Sequence, residues 1–164
     1  MDKLAGQMVE LLKDLLGVQE RLLTLALARQ EAMRAYDMGA MNGLLERERG
    51  ELAAMESVEK RRTVLVEACR RVMGRGANPT TSEIAGMCKE PTRTQILVLS
   101  GKSRGVIAKL ERANRINVKV STAVVASISR VLKIVTGIAQ HAGLYMSNGR
   151  KASVHGIHLL DAVA

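Results

Sequence analysis

The sequence contains no Phe, no Trp and only two Tyr among its 164 residues. Its interior must therefore be filled by Leu, Val, Ile, Ala and the nine Met. Proteins that stack nucleic-acid bases on aromatic side chains need rings that this chain lacks. One of the two tyrosines, Tyr145, stands in the stretch "AQHAGLYMSNGRK". Its position there has to be explained by the rest of the chain.

Long apolar runs and cysteine motifs are also missing. No apolar run reaches the ~20 residues that span a bilayer, and the charged opening "MDKLAGQMVELLKDLLG" does not have the pattern of a signal peptide. Cys69 and Cys88 are too far apart for a CxxC motif. They predict buried free thiols in a reducing compartment, and we expect a cytoplasmic protein.

Charge is distributed unevenly along the chain. The first sixty residues hold 11 acidic and 8 basic side chains, whereas the remaining 104 hold 17 basic and 5 acidic ones. A basic half is typical of proteins that bind nucleic acid, an anionic membrane surface or an acidic partner, and it also occurs as a solvated face. We expect the acidic and basic halves to attract one another, within one chain or across a dimer.

Apolar residues at steps of three and four predict two long helices in the first half, over about 3–37 and 42–73. Gly39 and the pair Asn42-Gly43 are expected to break the chain between them. The short connection predicts an antiparallel helical hairpin, elongated because each helix is long. Alternating Glu and Arg in "LERERGELAAMESVEKRR" indicate a solvated outer face.

A linker helix and a long final helix are predicted next. Thr80 and Glu83 form the sequence pattern of a capping box, which predicts a short helix over 81–88. Pro91 suits the first turn of a further helix, over about 91–146. The sequence thus predicts an all-α protein, a single helical bundle domain over 1–146 in which this third long helix packs along the hairpin. Residues 147–164 are expected to form a mobile C-terminal tail.

The final helix carries its apolar residues on two neighbouring rows, and these rows account for Tyr145. One row, at steps of seven or fourteen, contains Ile96, Leu110, Val124, Val131, Ile138 and Tyr145. Tyr145 is therefore the last position of an apolar stripe. Asn117 falls on the same row, and Asn114 lies one turn before it. A polar residue in such a seam fixes the register between helices or lies partly exposed at the seam edge, and both interpretations stay open.

Motifs for catalysis or metal binding are not found. The "GKS" at 101–103 has Ile96 where a phosphate-binding loop needs Gly, and no strand precedes it. His141, His155 and His158 have no cluster of cysteines or carboxylates nearby, so no metal site and no cofactor are predicted. We expect no enzyme. Six cations on the final helix suit a phosphate track or a cationic solvent face: Lys102, Arg104, Lys109, Arg112, Arg115 and Lys119.

The arrangement resembles the FlgN-type flagellar export chaperones. The resemblance rests on the two long amphipathic helices, the "PTTSEIA" turn, the "LERANRINVKVSTAVVASISRVLKIVTG" segment and the "YMSNGRK" ending. Members typically show an "N..N" pattern in the third helix and an ending with an aromatic residue followed by glycine. Asn114, Asn117, Tyr145 and Gly149 occupy these positions here.

The resemblance implies a small cytoplasmic chaperone that binds hook–filament junction subunits. Such a chaperone prevents their premature assembly and delivers them to the membrane export gate. An aliphatic helix face suits the binding of an amphipathic helix from a partner. The partner-binding residues predicted on the final helix and tail are Val131, Val135, Ile138, Tyr145, Leu159 and Leu160. Whether two copies form a homodimer is left open. The alternative function is a basic helical nucleic-acid-binding or regulatory protein, and a third option is a structural coiled-coil subunit.

Overall fold

The computed structural model describes residues 2–74, 76 and 78–142, with side chains described as far as residue 136. Four helices follow one another along these residues, and no strand occurs among them. They are α1 (Asp2–Arg34), α2 (Met38–Val72), α3 (Thr81–Gly86) and α4 (Thr92–Ala142). The predicted all-α helical bundle is confirmed.

The chain divides into two compact units, Met1–Ser121 and Thr122–Ala164. The first unit contains α1, α2, α3 and the first thirty residues of α4. The described part of the second unit is the remainder of α4. The predicted helix end at 146 and the predicted tail over 147–164 lie outside the described residues.

The connection between α1 and α2 differs from the prediction. Tyr36 adopts a positive φ of 54°, and Asp37 then caps α2, its Oδ1 accepting a hydrogen bond from the Ala40 amide at 2.8 Å. The helix begins at Met38, so Gly39 and Asn42-Gly43 lie inside α2. The predicted break at these residues was wrong, because a good cap outweighs the ~1 kcal/mol that each glycine costs in a helix.

The linker helix begins where the sequence predicts. The Glu83 amide donates to Thr80 Oγ1 at 3.2 Å, and the Thr80 amide donates to Glu83 Oε2 at 2.7 Å, which completes a capping box. α3 ends at Gly86, two residues before the predicted end. Its two buried residues, Ile84 and Ala85, belong to the main core.

The core of the first unit lies where α1, the second half of α2, α3 and the start of α4 meet. Ion pairs join Asp14 to Arg61 and Arg21 to Glu51, so α1 and α2 run antiparallel. The buried residues of this core are Met8, Val9, Leu11, Leu12, Val18, Leu22, Val58, Leu65, Cys69, Ile84, Ala85 and Ile96. Leu99 and Leu110 of α4 pack against it partly buried. At ~25 cal/mol per Å² of apolar area removed from water, an aliphatic core of this kind drives folding without aromatic rings.

Candidate partner-binding site

In the second unit, α4 exposes a set of aliphatic side chains along one side. We define the apolar stripe as Val125, Ile128, Val131, Leu132 and Val135. Each of these side chains is between 48% and 62% exposed. At 3.6 residues per turn, their spacing confines them to about one third of the helix circumference. A soluble helix that leaves such a stripe in water has the pattern of a partner-binding surface.

Apart from the half-buried Val124 and the exposed Ile134, the rest of this segment is polar or small. Arg130 and Lys133 are its charged residues between 122 and 136, and both are exposed. Thr136 turns its hydroxyl to its own helix, where Oγ1 donates to the Leu132 carbonyl at 2.8 Å. The segment is therefore amphipathic, with an aliphatic side and a weakly cationic side, which is the form that a helix-in-groove or helix-on-helix contact requires.

The predicted partner-binding residues are only partly described. Val131 and Val135 lie one turn apart on the apolar stripe, both exposed. Ile138 lies on α4, but its side chain is outside the described residues. Tyr145, Leu159 and Leu160 are also outside the described residues, so their part in the site stays a prediction.

The two predicted seam asparagines lie in the first unit and contact α1. Asn117 is buried, and its Nδ2 donates to the main-chain carbonyl oxygen of Ala26 at 2.8 Å. Asn114 Oδ1 accepts from Arg29 Nη2 at 3.1 Å. Arg29 also pairs with Glu48 at 2.6 Å, so one guanidinium links α1, α2 and α4. Asn117 Oδ1 is buried with no hydrogen-bond partner among the described residues.

A second buried polar contact joins α1 to α4 and was not predicted. Ser103 Oγ donates to Gln19 Oε1 at 2.8 Å, and both residues are buried. The sequence contains the signal for it, because Ser103 falls between Ile96 and Leu110 on the same row of sevens as Asn117. Ser103 and Asn117 thus both contact α1, and the order of the two contacts shows that α4 runs parallel to α1 within this unit.

A groove of about 740 Å³ lies between the first turns of α1 and the second half of α2. Its apolar floor is formed by Leu4, Leu11, Leu65 and Ala68, with the exposed Val64 at its side. Charges of both signs surround it, namely Asp2, Lys3, Glu10, Lys60 and Arg61. The groove combines an apolar floor with a mixed rim, and it has no cluster of groups suited to catalysis.

Ion pairs are concentrated in the hairpin. Residues 1–72 contain twelve acidic and twelve basic side chains, whereas α4 contains nine basic residues and one acidic residue, Glu111. The ten ion pairs among the described residues all join residues of α1 and α2. Two of these pairs, Asp14–Arg61 and Glu59–Arg62, join the first sixty residues to the remaining ones, whereas no cation of α4 forms an ion pair with a described residue.

Titratable groups with shifted pKa values lie in the hairpin and linker. Hydrogen bonds from Arg70 and then Arg71 lower the pKa of Glu67 to about 2. Burial raises the pKa of the Cys69 thiol, and burial also raises that of Cys88. Both cysteines are free. A raised pKa reduces the thiolate fraction, so neither thiol has the character of a nucleophile.

Metal-binding clusters and membrane-spanning helices are both missing from the described residues. No group of three or more His, Cys, Asp or Glu residues is placed there to hold a metal ion. None of the described helices combines the length and the apolarity needed to cross a membrane.

Fold and surface together define a helical-bundle protein that presents an exposed amphipathic helix. A comparison with family models agrees with this class, since the model described as "FlgN protein" matches residues 1–153. The chain belongs to the FlgN family, a family of flagellar export chaperones. No curated protein and no solved structure matches the chain significantly.

Proposed function

We propose that this protein binds hook–filament junction subunits before their secretion, prevents their premature assembly and delivers them to the membrane export gate. The family supports an export chaperone of flagellar subunits in general. The observation that carries the finer proposal is the apolar stripe, five half-exposed aliphatic residues on a helix of the second unit.

The chemistry of the stripe favours an amphipathic helix as its ligand. Aliphatic residues at steps of three and four pack against residues with the same spacing on a partner helix, and this contact removes apolar area from water. No aromatic residue lies on the described part of α4, so the contact there depends on aliphatic packing. We extend the stripe by spacing to Ile138 and Tyr145, and we place Leu159 and Leu160 of the tail in the same interface. A ring at the end of an aliphatic stripe supplies a large contact area together with a polar hydroxyl.

Asn114 and Asn117 have a separate role in this proposal. They set the register of α4 against α1 rather than touching the subunit, since their side chains contact Arg29 and Ala26. The function is thus carried by two parts of one helix, a part fixed by polar contacts and a part available to a partner.

The proposal is tested by measuring the affinity for a purified hook–filament junction subunit with isothermal titration calorimetry. The double variant Val131→Gln with Val135→Gln replaces two stripe residues by a side chain with good helix propensity. The matched control is Leu97→Gln with Val98→Gln, two exposed aliphatic residues on the first part of α4. We expect the stripe variant to bind at least about tenfold more weakly, because each central apolar contact commonly contributes more than ~1 kcal/mol.

The control variant is expected to bind like the parent. Equal losses of affinity in both variants would show that the stripe has no special role. Unchanged affinity of the stripe variant would show that the subunit binds another surface. The same two variants, titrated with the cytosolic part of the export gate, test the delivery step separately.

A further inference from the structure

The outer side of α4 in the first unit carries a straight row of cations. We define the cation row as Arg104, Arg112, Arg115 and Lys119, all exposed. Helical geometry places them within about one quarter of the circumference and over about 22 Å of helix length. Ala108, also exposed, is the remaining residue of that quarter between Arg104 and Lys119. The buried residues Ala113 and Asn117 face away from the row.

Among the described residues, the row lacks compensating charge. None of its four members forms an ion pair with a described residue, whereas ten cations of the hairpin do. The acids of the hairpin are already engaged: among those of α1 and α2, only Asp2 and Glu20 have no ion pair. A second copy of the hairpin therefore has little negative charge to offer. Glu111, at the edge of the row, is the single acid of α4.

We propose that the cation row binds an acidic helix of a partner protein. Its members recur at steps of three, four and eight, so carboxylates at the same steps on a facing helix meet them one by one. Three of the four are arginines, whose planar guanidinium donates two parallel hydrogen bonds to a carboxylate. The small side chain of Ala108 lets the facing helix approach closely.

Other anionic ligands fit the row less well. A single-stranded nucleic acid is normally held by aromatic stacking in addition to charge, and no aromatic residue lies on the described part of α4. A helix that lies on an anionic membrane inserts a row of large apolar side chains beside its cations. The quarter of the helix between Arg104 and Lys119 contains only Ala108 besides the cations, and the exposed Val118 lies beside it. Charge complementarity with a narrow, straight surface favours a helix.

The proposal is independent of the hook–filament junction function, because the apolar stripe lies in the second unit and the cation row in the first. It can be tested on the full chain with two synthetic helical peptides. One carries glutamates at the steps of the row, and the other carries glutamines at the same positions. Fluorescence anisotropy at low and moderate salt gives the affinity of each.

We expect the glutamate peptide to bind at least about tenfold more tightly than the glutamine peptide, with an affinity that falls as salt rises. The variant Arg112→Gln with Arg115→Gln should lose about tenfold in affinity. The matched control is Lys102→Gln with Lys109→Gln, which removes the same charge from exposed positions on another side of α4. It should lose less than about threefold. The apolar-stripe variant Val131→Gln with Val135→Gln should bind the peptide like the parent.

Three results would overturn the proposal. Equal losses in the two charge variants would mean that net charge alone attracts the peptide. Equal binding of the two peptides would remove the carboxylates from the interaction. Tighter binding of a single-stranded oligonucleotide, or of phosphatidylglycerol vesicles, than of the glutamate peptide would assign the row to a polyphosphate or to a lipid surface. Circular dichroism melts of each variant verify that the bundle is intact.

Discussion

The Asn117 side chain donates a hydrogen bond to the backbone carbonyl of Ala26 at 2.8 Å, and both residues are buried between α4 and α1. A main-chain carbonyl inside a helix is already an acceptor for its own helix, and here it takes a second donor from another helix. This contact is specific in position, because moving α4 by one turn would bring a different side chain to Ala26. We therefore expect it to set the register of α4 along α1.

Asn117→Ala should lower the free energy of unfolding by about 1–3 kcal/mol, because it removes a buried hydrogen bond and leaves a small void. Asn114→Ala is the control. Asn114 is only half-buried, and its partner Arg29 keeps the carboxylate of Glu48. Asn114→Ala should therefore lower the free energy of unfolding by less than about 1 kcal/mol. Urea unfolding followed by circular dichroism measures both, and equal losses would show that Asn117 has no special part in the seam.

Ser103→Ala removes the donor that Gln19 Oε1 uses inside the first unit. A buried acceptor left without its donor costs about 1–3 kcal/mol in stability. The exposed Ser129 provides a control, since Ser129→Ala should change the free energy of unfolding by less than ~0.5 kcal/mol. If Ser103→Ala unfolds at the urea concentration of the parent, the Gln19–Ser103 contact contributes nothing to stability.

Glu67 provides a pH-dependent contribution to stability. Its pKa is lowered to about 2 by Arg70 and Arg71, whereas an unfolded chain has a glutamate pKa of about 4.3. The folded state therefore gains from this group above about pH 4.3, and the gain disappears as the pH falls toward 2. Glu67→Gln should melt at a lower temperature than the parent at pH 7, and the two midpoints should converge in acid.

The control for that comparison is Glu20→Gln, because Glu20 forms no ion pair among the described residues. Its melting midpoint at pH 7 should differ less from that of the parent. A gap between Glu67→Gln and the parent that stays constant from pH 7 to acid would contradict the lowered pKa.

Tyr145→Ala tests the predicted end of the partner-binding surface. Loss of an aromatic residue from an interface commonly costs ~2 kcal/mol or more, about thirtyfold in affinity. We expect that loss for the hook–filament junction subunit or for the export gate, with the stability of the fold changed by less than ~0.5 kcal/mol. Calorimetric titration and thermal melting give the two quantities. Reduced stability with intact binding would show that Tyr145 packs against the protein itself.

Periodicity and capping patterns predicted most of the fold. The rows of sevens identified the helices, and Thr80 with Glu83 identified the start of α3. The glycines predicted the start of α2 wrongly. In the structure α1 ends at Arg34, Tyr36 follows in a left-handed conformation, and Asp37 caps α2. A tyrosine at positive φ has no clear sequence signal, since Asn, Asp and Gly are the residues that usually adopt this conformation.

Periodicity was the basis for the residues predicted on the candidate site. Val131 and Val135 were predicted from their spacing, the structure shows that both are exposed, and their role in binding stays a prediction. The contact between Gln19 and Ser103 was missed because serine is common on solvent-facing positions, although its place on the row of sevens pointed inward. It was also not predicted that the cations of α4 form no ion pair with a described residue. Charge counts describe halves of the sequence, but ion pairs depend on which helices are neighbours.

The self-contained ion pairs of the hairpin have a consequence for how such a protein evolves. The charges of α1 and α2 are paired with one another. The outer surface of α4 therefore contributes little to the stability of the bundle. Substitutions on the outer surface of α4 are selected by their effect on partner binding rather than by their effect on folding. A few surface residues of α4 can therefore change, and with them the partner that this surface binds, without altering the ion pairs of α1 and α2.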